Sequence, residues 1–250
     1  MLMAMIRALC GRAGYVLWKR EFIRYGVEPF LDMQRLTRAW RRPVETFFDV
    51  GANVGQTAVE AREAFPSARI FSFEPHPLTF QRLRAAIPAS ALFSAHQLAF
   101  SDKEGSAKFY EYATEGDGTH INSLVPNARF PMQRGYTANQ ITVPCSTIDN
   151  FCADNSVKCI DVLKMDTEGS ELFVLHGAQE MLRSGAVGLI FTEYNALVPQ
   201  EGTTGGSLLP IAEFLHSLGY GYLCSYTDRI DEAQMFASAN ALFAYHKITR

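Results

Sequence analysis

A doubly wound α/β sheet, mostly parallel with an antiparallel edge, is the fold this sequence predicts. Three observations predict it. Short apolar runs alternate with helical segments over residues 46–218, the order that builds parallel strands with crossover helices. The runs carry Phe, Val, Ile and Leu with little polar alternation, as strands covered on both faces do. Carboxylates gather within a residue or two of the predicted strand ends, at Asp49, Glu74, Asp102, Asp166 and Glu193.

The elements follow in order. Residues 46–50 (TFFDV) read as a buried strand running into a Gly-containing loop. Residues 56–65 are helical and stop at Pro66. Residues 69–73 form a second strand ending in Glu74-Pro75, and 78–87 a helix that Pro88 terminates. Residues 91–100 read as one third strand, and 108–112 (KFYEY) as a hairpin strand. Residues 113–140 are rich in Gly, Thr, Asn and Pro and read as a long loop, a lid over the site. A short strand at 140–144 precedes the strand 160–166 (IDVLKMD). The helix 170–184 is closed by Gly185, a C-cap residue. The strand 187–193 (VGLIFTE) and the helix 207–218, closed by Gly219, follow. Strands at 221–226 and 241–246 have no convincing helix between them and pair antiparallel at one edge. Phe71, Phe73 and Phe191 are core residues in this reading.

The chain has 250 residues, 48% hydrophobic and 20% charged, which suits one large α/β domain and excludes a disordered chain. Its net charge of −3 is unevenly spread. Residues 1–43 hold nine Lys/Arg against three acids, a net +6, so residues 44–250 carry −9. The sequence therefore divides into a basic helical N-terminal extension, 1–43, and an acidic body, 44–250. The extension reads as a helical cap on the body and secondarily as a handle for an anionic glycan or a peripheral membrane contact. The acidic body excludes nucleic acid as a partner, because such proteins carry a basic face on the functional domain. Arg7, Arg12 and Lys19 interrupt the N-terminal apolar stretch, so no transmembrane span is expected. Five scattered cysteines (Cys10, Cys145, Cys152, Cys159, Cys224) form no zinc or disulfide pattern, which fits a cytoplasmic protein.

Ligands of an open parallel sheet bind beyond the carboxyl ends of its strands. Asp49, Gly51, Asn53 and Gly55 lie in the first such loop, DVGANVG. The glycines permit a tight turn and close backbone approach. Glu74 lies 19 residues past Gly55, where a carboxylate can accept both hydroxyls of a ribose. A nicotinamide fingerprint would read GxGxxG. Here Asn53 takes the place where a pyrophosphate must approach, and Asp49 would repel phosphate. An adenosyl sulfonium with an amino-acid tail fits better. A nicotinamide-dependent oxidoreductase of the Rossmann kind is the alternative.

Four ordered stretches carry a family resemblance. F-x-D-V-G-A-N-x-G (47–55), F-x-F-E-P-H-P (71–77), A-F-S-D-K-E-G (99–105) and L-K-M-D-T-E-G-S-E (163–171) resemble the FkbM-type S-adenosylmethionine-dependent methyltransferases. The resemblance implies a Rossmann-like, seven-stranded class I methyltransferase fold over residues 44–250. It also implies methyl transfer to an oxygen of a sugar, glycan or glycosylated natural product. It further implies that Asp49, Gly51, Asn53 and Gly55 line the methionine end of the cofactor and that Glu74 holds the ribose. Ser101 and Asp102 would lie near the adenine, and Asp166 beside the sulfonium and the acceptor. Thr167 and Ser170 depart from the family's more usual aliphatic residue and Ala.

An alcohol is a poor nucleophile while protonated, so a general base within hydrogen-bond reach is sought. Asp166 is the first candidate, Glu193 the second, and His120, in the long loop, the third. Glu168 reads as a helix-opening acid. A divalent metal shared by Asp166 and Glu193 is considered but not expected, since spacing shows no third ligand. The acceptor's identity and the oligomeric state are not legible in the sequence.

Overall fold

In a computed structural model of the chain, the described residues are 20–112, 122–125, 138–198, 206–229 and 238–246, with Ile6 alone before them. Strand β1 (Thr46–Val50) is the centre of construction. It pairs in parallel with β2 (Arg69–Phe73) on one side and β7 (Ile160–Met165) on the other. Outward from these lie β3 (Phe93–His96) and β8 (Val187–Tyr194), both parallel to their neighbours. Strand β10 (Ser238–Tyr245) runs antiparallel to β8 and to the edge strand β9 (Tyr220–Arg229). The seven-stranded order is β3-β2-β1-β7-β8-β10-β9. The antiparallel ending at the edge is as the sequence predicts.

Alternation along each strand divides the core in two. Phe48, Phe71, Phe73, Leu163 and Ile190 pack on one face, Phe47, Ile70, Val162, Leu189 and Phe191 on the other. Phe71, Phe73 and Phe191 are buried, as expected of core residues. The helices cover both faces: α1 (Pro29–Ala39), α2 (Gln56–Ala64), α3 (Pro77–Ala86), α4 (Ile148–Asp154), α5 (Glu171–His176), α6 (Gln179–Arg183) and α7 (Leu208–Ser217).

Several boundaries differ from the sequence reading. The stretch 91–100 is two strands, because the chain turns after His96, with the Leu98 N–H donating to the His96 carbonyl at 3.1 Å. Strand β3 stays in the large sheet. Strand β4 (Ala99–Phe100) joins a second sheet of order β4-β6-β5, with β5 (Gly105–Tyr112) and β6 (Ala138–Ser146) antiparallel. The helix expected at 170–184 is broken between α5 and α6 at Gly177. A Cβ on Gly177 would sit 2.0 Å from the Ser101 carbonyl oxygen, so the chain passes too close there for any other residue. Helix α4, which the sequence reading did not single out, starts from Thr147, whose hydroxyl accepts the Asn150 N–H at 3.1 Å. Of the predicted 113–140 loop, residues 138–140 belong to β6, residues 122–125 are tethered, and the rest lie outside the described residues.

The described part of the basic N-terminal stretch is built into the body by apolar contacts and one buried acid. Met33 joins the core beside Phe47 and Val162. Asp32, fully buried, accepts the Tyr226 hydroxyl at 2.9 Å and the Gly26 N–H at 2.8 Å. Charge attraction adds the Arg42–Asp161 pair at 3.4 Å. Among the described residues no helix is long and apolar enough to cross a membrane.

Candidate active site

The site forms where β1, β2 and β7 end side by side. Gly51 turns the chain with φ 73°, and a Cβ there would lie 1.8 Å from the Asp166 carbonyl oxygen. Any side chain at this position would drive the ends of β1 and β7 apart. Asn53 follows in the left-handed region, φ 49°, a conformation Asn tolerates better than most residues. Its N–H donates to Glu74 Oε2 at 2.9 Å. Gly55 begins α2 with φ 98°, and a Cβ there would meet the Leu83 and Ile87 methyls at 2.8 Å. Gly51 and Asn53 line the cleft, while Gly55 serves the packing of α2 on α3.

Glu74 sits at the end of β2 and accepts a second backbone N–H, from His76, at 2.9 Å on Oε1. Each oxygen still has a lone pair for a further donor. Burial pushes the Glu74 carboxyl up to about 7, against the pull of these two N–H groups.

Asp49 is fully buried beneath the loop and does not line the cleft. Its Oδ1 lies 3.1 Å from Lys164 Nζ, and Oδ2 takes the Ser72 hydroxyl at 3.4 Å. Lys164, on β7, also donates to the Gly51 carbonyl at 2.9 Å and stands 3.8 Å from Asp166 Oδ2. Burial alone would depress its ammonium, yet Asp49 and Asp166 outweigh burial and hold it above the ordinary lysine value. Lys164 thus ties the glycine loop, the first strand and the fourth parallel strand together. Sequence reasoning quoted Lys164 without giving it a role. The legible signal was a lysine inside a largely apolar strand, where a buried charge demands a partner.

Beyond β7, Asp166 is half-exposed at the cleft. Glu168 does not open the next helix. It takes φ 54° and turns its carboxyl toward Asp166 and Glu193, the three offering oxygens mutually within 4.8 Å. The acid at the start of α5 is Glu171, which accepts from the Thr167 N–H at 2.8 Å and hydroxyl at 3.0 Å and from the Gly169 N–H. Burial first, and the Asp166 charge second, push Glu168 and Glu193 well above the usual carboxylate range. Glu193 also hydrogen-bonds Asp166. Burial and like charge therefore disfavour the ionised forms of Glu168 and Glu193 beside Asp166. The same oxygens are the ones a magnesium ion would take, and Glu168 is the third carboxylate that spacing alone did not show.

These groups border an open cleft. Leu98, Phe100, Phe109 and Leu124 give it an apolar wall, and Glu74, Asp166 and Glu168 supply carboxylates. Ser123 fastens the far side, its hydroxyl donating to the Glu168 carbonyl at 2.8 Å. No basic residue is among the described lining residues. Ser101 and Asp102 sit at the rim just past Phe100, bonded to each other at 3.1 Å, and neither lines the cleft. His120 lies outside the described residues. An apolar slot for a flat ring, a carboxylate for a diol and an acidic end for a cation match the parts of S-adenosylmethionine.

Sheet order and cleft together define a class I, S-adenosylmethionine-dependent methyltransferase. The model of the methyltransferase FkbM domain matches residues 49–222. The chain belongs to that family. It is 28% identical over 192 residues to the 2-O-methyltransferase NoeI of Sinorhizobium fredii, covering 73% of this chain and 78% of the relative. It is 28% identical over 181 residues to the 31-O-demethyl-FK506 methyltransferase FkbM of Streptomyces tacrolimicus, covering 64% and 65%. It is 28% identical over 176 residues to the hexuronic acid methyltransferase AglP of Haloferax volcanii, covering 69% and 65%. The chain thus spans just under two thirds of the length of the latter two relatives.

Proposed function

We propose that this chain methylates a hydroxyl of a sugar, a glycan or a glycosylated small molecule. The carboxyl cluster at the end of β7, beside a cleft built for a cationic donor, carries the reading. The names of the relatives support the acceptor class, since two of them name a sugar acid or a 2-O position. S-adenosylmethionine supplies the methyl group when bound. Gly51 and Asn53 would shape the loop over its amino-acid end, Glu74 would accept the ribose hydroxyls, and Ser101 and Asp102 would border its adenine. Asp49 would act at one remove, through Lys164. Asp166 would accept the acceptor's proton, because its side chain lines the cleft and is 43% exposed, and Glu193 would share that proton. Alignment of acceptor oxygen against the methyl carbon supplies the rest of the acceleration.

We read residues 44–250 as the catalytic domain and 1–43 as an extension that caps it. Cys145, Cys152, Cys159 and Cys224 are free, which supports a cytoplasmic location. The −9 body supports a small-molecule or glycan acceptor over nucleic acid.

The reading is tested by incubating the chain with methyl-labelled S-adenosylmethionine and a panel of glycosides and glycans. Label in a sugar supports it, and label only in nucleic acid or protein contradicts it. Glu74 provides a second check. Its carboxyl accepts hydrogen bonds in the ionised form, so cofactor affinity should rise with pH. By calorimetry the dissociation constant at pH 6 should be about tenfold weaker than at pH 8. Glu74→Gln should weaken binding and flatten that profile. The sign for stability is opposite. A carboxyl raised in the folded state contributes stability at low pH that is lost as pH climbs through about 7.

A further inference from the structure

We propose that His76 and Glu111 form a latch that fixes the β5 wall over the cofactor half of the cleft, which makes both of them positioning residues for the cofactor. The inference rests on the cofactor reading above.

His76 joins three parts of the site. Its backbone N–H donates to Glu74 Oε1 at 2.9 Å, so it helps aim the carboxylate assigned to the ribose. Its ring begins α3, with Nδ1 accepting the Thr79 N–H at 3.2 Å. An acceptor role for Nδ1 leaves the neutral ring's hydrogen on Nε2. Nε2 faces Glu111 Oε1 on β5, and donates to it. The ring is buried and the Glu111 side chain is partly so, a setting in which a hydrogen bond to a carboxylate is strong.

Glu111 and Phe109 lie two apart on β5 and point to the same face. Phe109 lines the cleft, and its ring stands 6.5 Å from that of His76. Fixing Glu111 therefore fixes Phe109 against the slot. Strand β5 belongs to the small sheet, which shares no ladder with β1 or β2. No strand ladder fixes it against the Glu74 turn, and the His76–Glu111 contact crosses directly from that turn to the wall.

The test is S-adenosylmethionine affinity by calorimetry, alongside thermal melting. Glu111→Ala should weaken binding about tenfold. Glu111→Gln, whose amide oxygen can still accept from Nε2, should stay within about threefold of wild type. His76→Asn keeps a helix-capping oxygen but cannot reach Glu111, and should match Glu111→Ala. The double variant His76→Asn/Glu111→Ala should be no worse than either single one. A melting shift with unchanged affinity would mean a structural role only and overturn the latch, as would additive losses in the double variant. If Glu111→Ala fails to fold, His76→Asn decides on the same reading. Failure of the wild-type chain to bind S-adenosylmethionine would overturn the cofactor reading itself.

Discussion

Replacing Asp166 by Asn should lower the turnover of methyl transfer by about 10³-fold while the chain stays folded and still binds its cofactor. The side chain is 43% exposed, so the amide enters without a buried cavity or a new desolvated group. What it removes is a carboxylate that lines the cleft beside Glu168. An amide cannot take a proton from an alcohol, and burial disfavours the ionised forms of Glu168 and Glu193 that could replace Asp166 as base. Initial rates with a carbohydrate acceptor, set beside calorimetric cofactor affinity, check this. A turnover within about tenfold of wild type would remove Asp166 as the base.

Lys164→Met should have the largest effect on stability. The Lys164 ammonium pairs with Asp49, which is fully buried. Removing one partner of such a pair strands the other charge and costs about 3–5 kcal/mol. For a chain of this length that corresponds to a fall in Tm of about 10 °C. The Gly51 carbonyl loses its 2.9 Å donor at the same time, so the glycine loop should loosen and cofactor affinity fall with it. Lys164→Met/Asp49→Asn should recover part of the lost Tm, because the stranded charge is gone. Equal Tm for the single and double variants would mean that Asp49 does not depend on the ammonium.

The parallel sheet was legible because its strands are apolar on both faces and end in carboxylates. TFFDV and IDVLKMD need only burial to become neighbours at the centre of the sheet. The antiparallel edge was legible because no helix fits between the last two strands. The split at His96 was not, since no Gly or Pro separates Phe93–His96 from Ala99–Phe100 and only tertiary pairing sends them to different sheets. At the site, the spacing from Gly55 to Glu74 followed from the βαβ unit. The partners of Lys164 did not, because Asp49 lies on another strand and only the register of β1 with β7 brings the two together. Glu168 was hidden by its backbone. Sequence favours an acid at a helix start, whereas the left-handed turn at φ 54° swings this one toward Glu193, 25 positions on. Glu111 was hidden in a strand whose sheet partner the sequence did not reveal.

The most direct measurement is the mass and alkali stability of the product formed from a neutral pyranoside and S-adenosylmethionine. A carbohydrate O-methyltransferase adds one methyl group as an ether that survives mild base, and Asp166→Asn gives none above background. No mass gain on any neutral or acidic sugar, or a gain that mild base removes as an ester, would contradict the account.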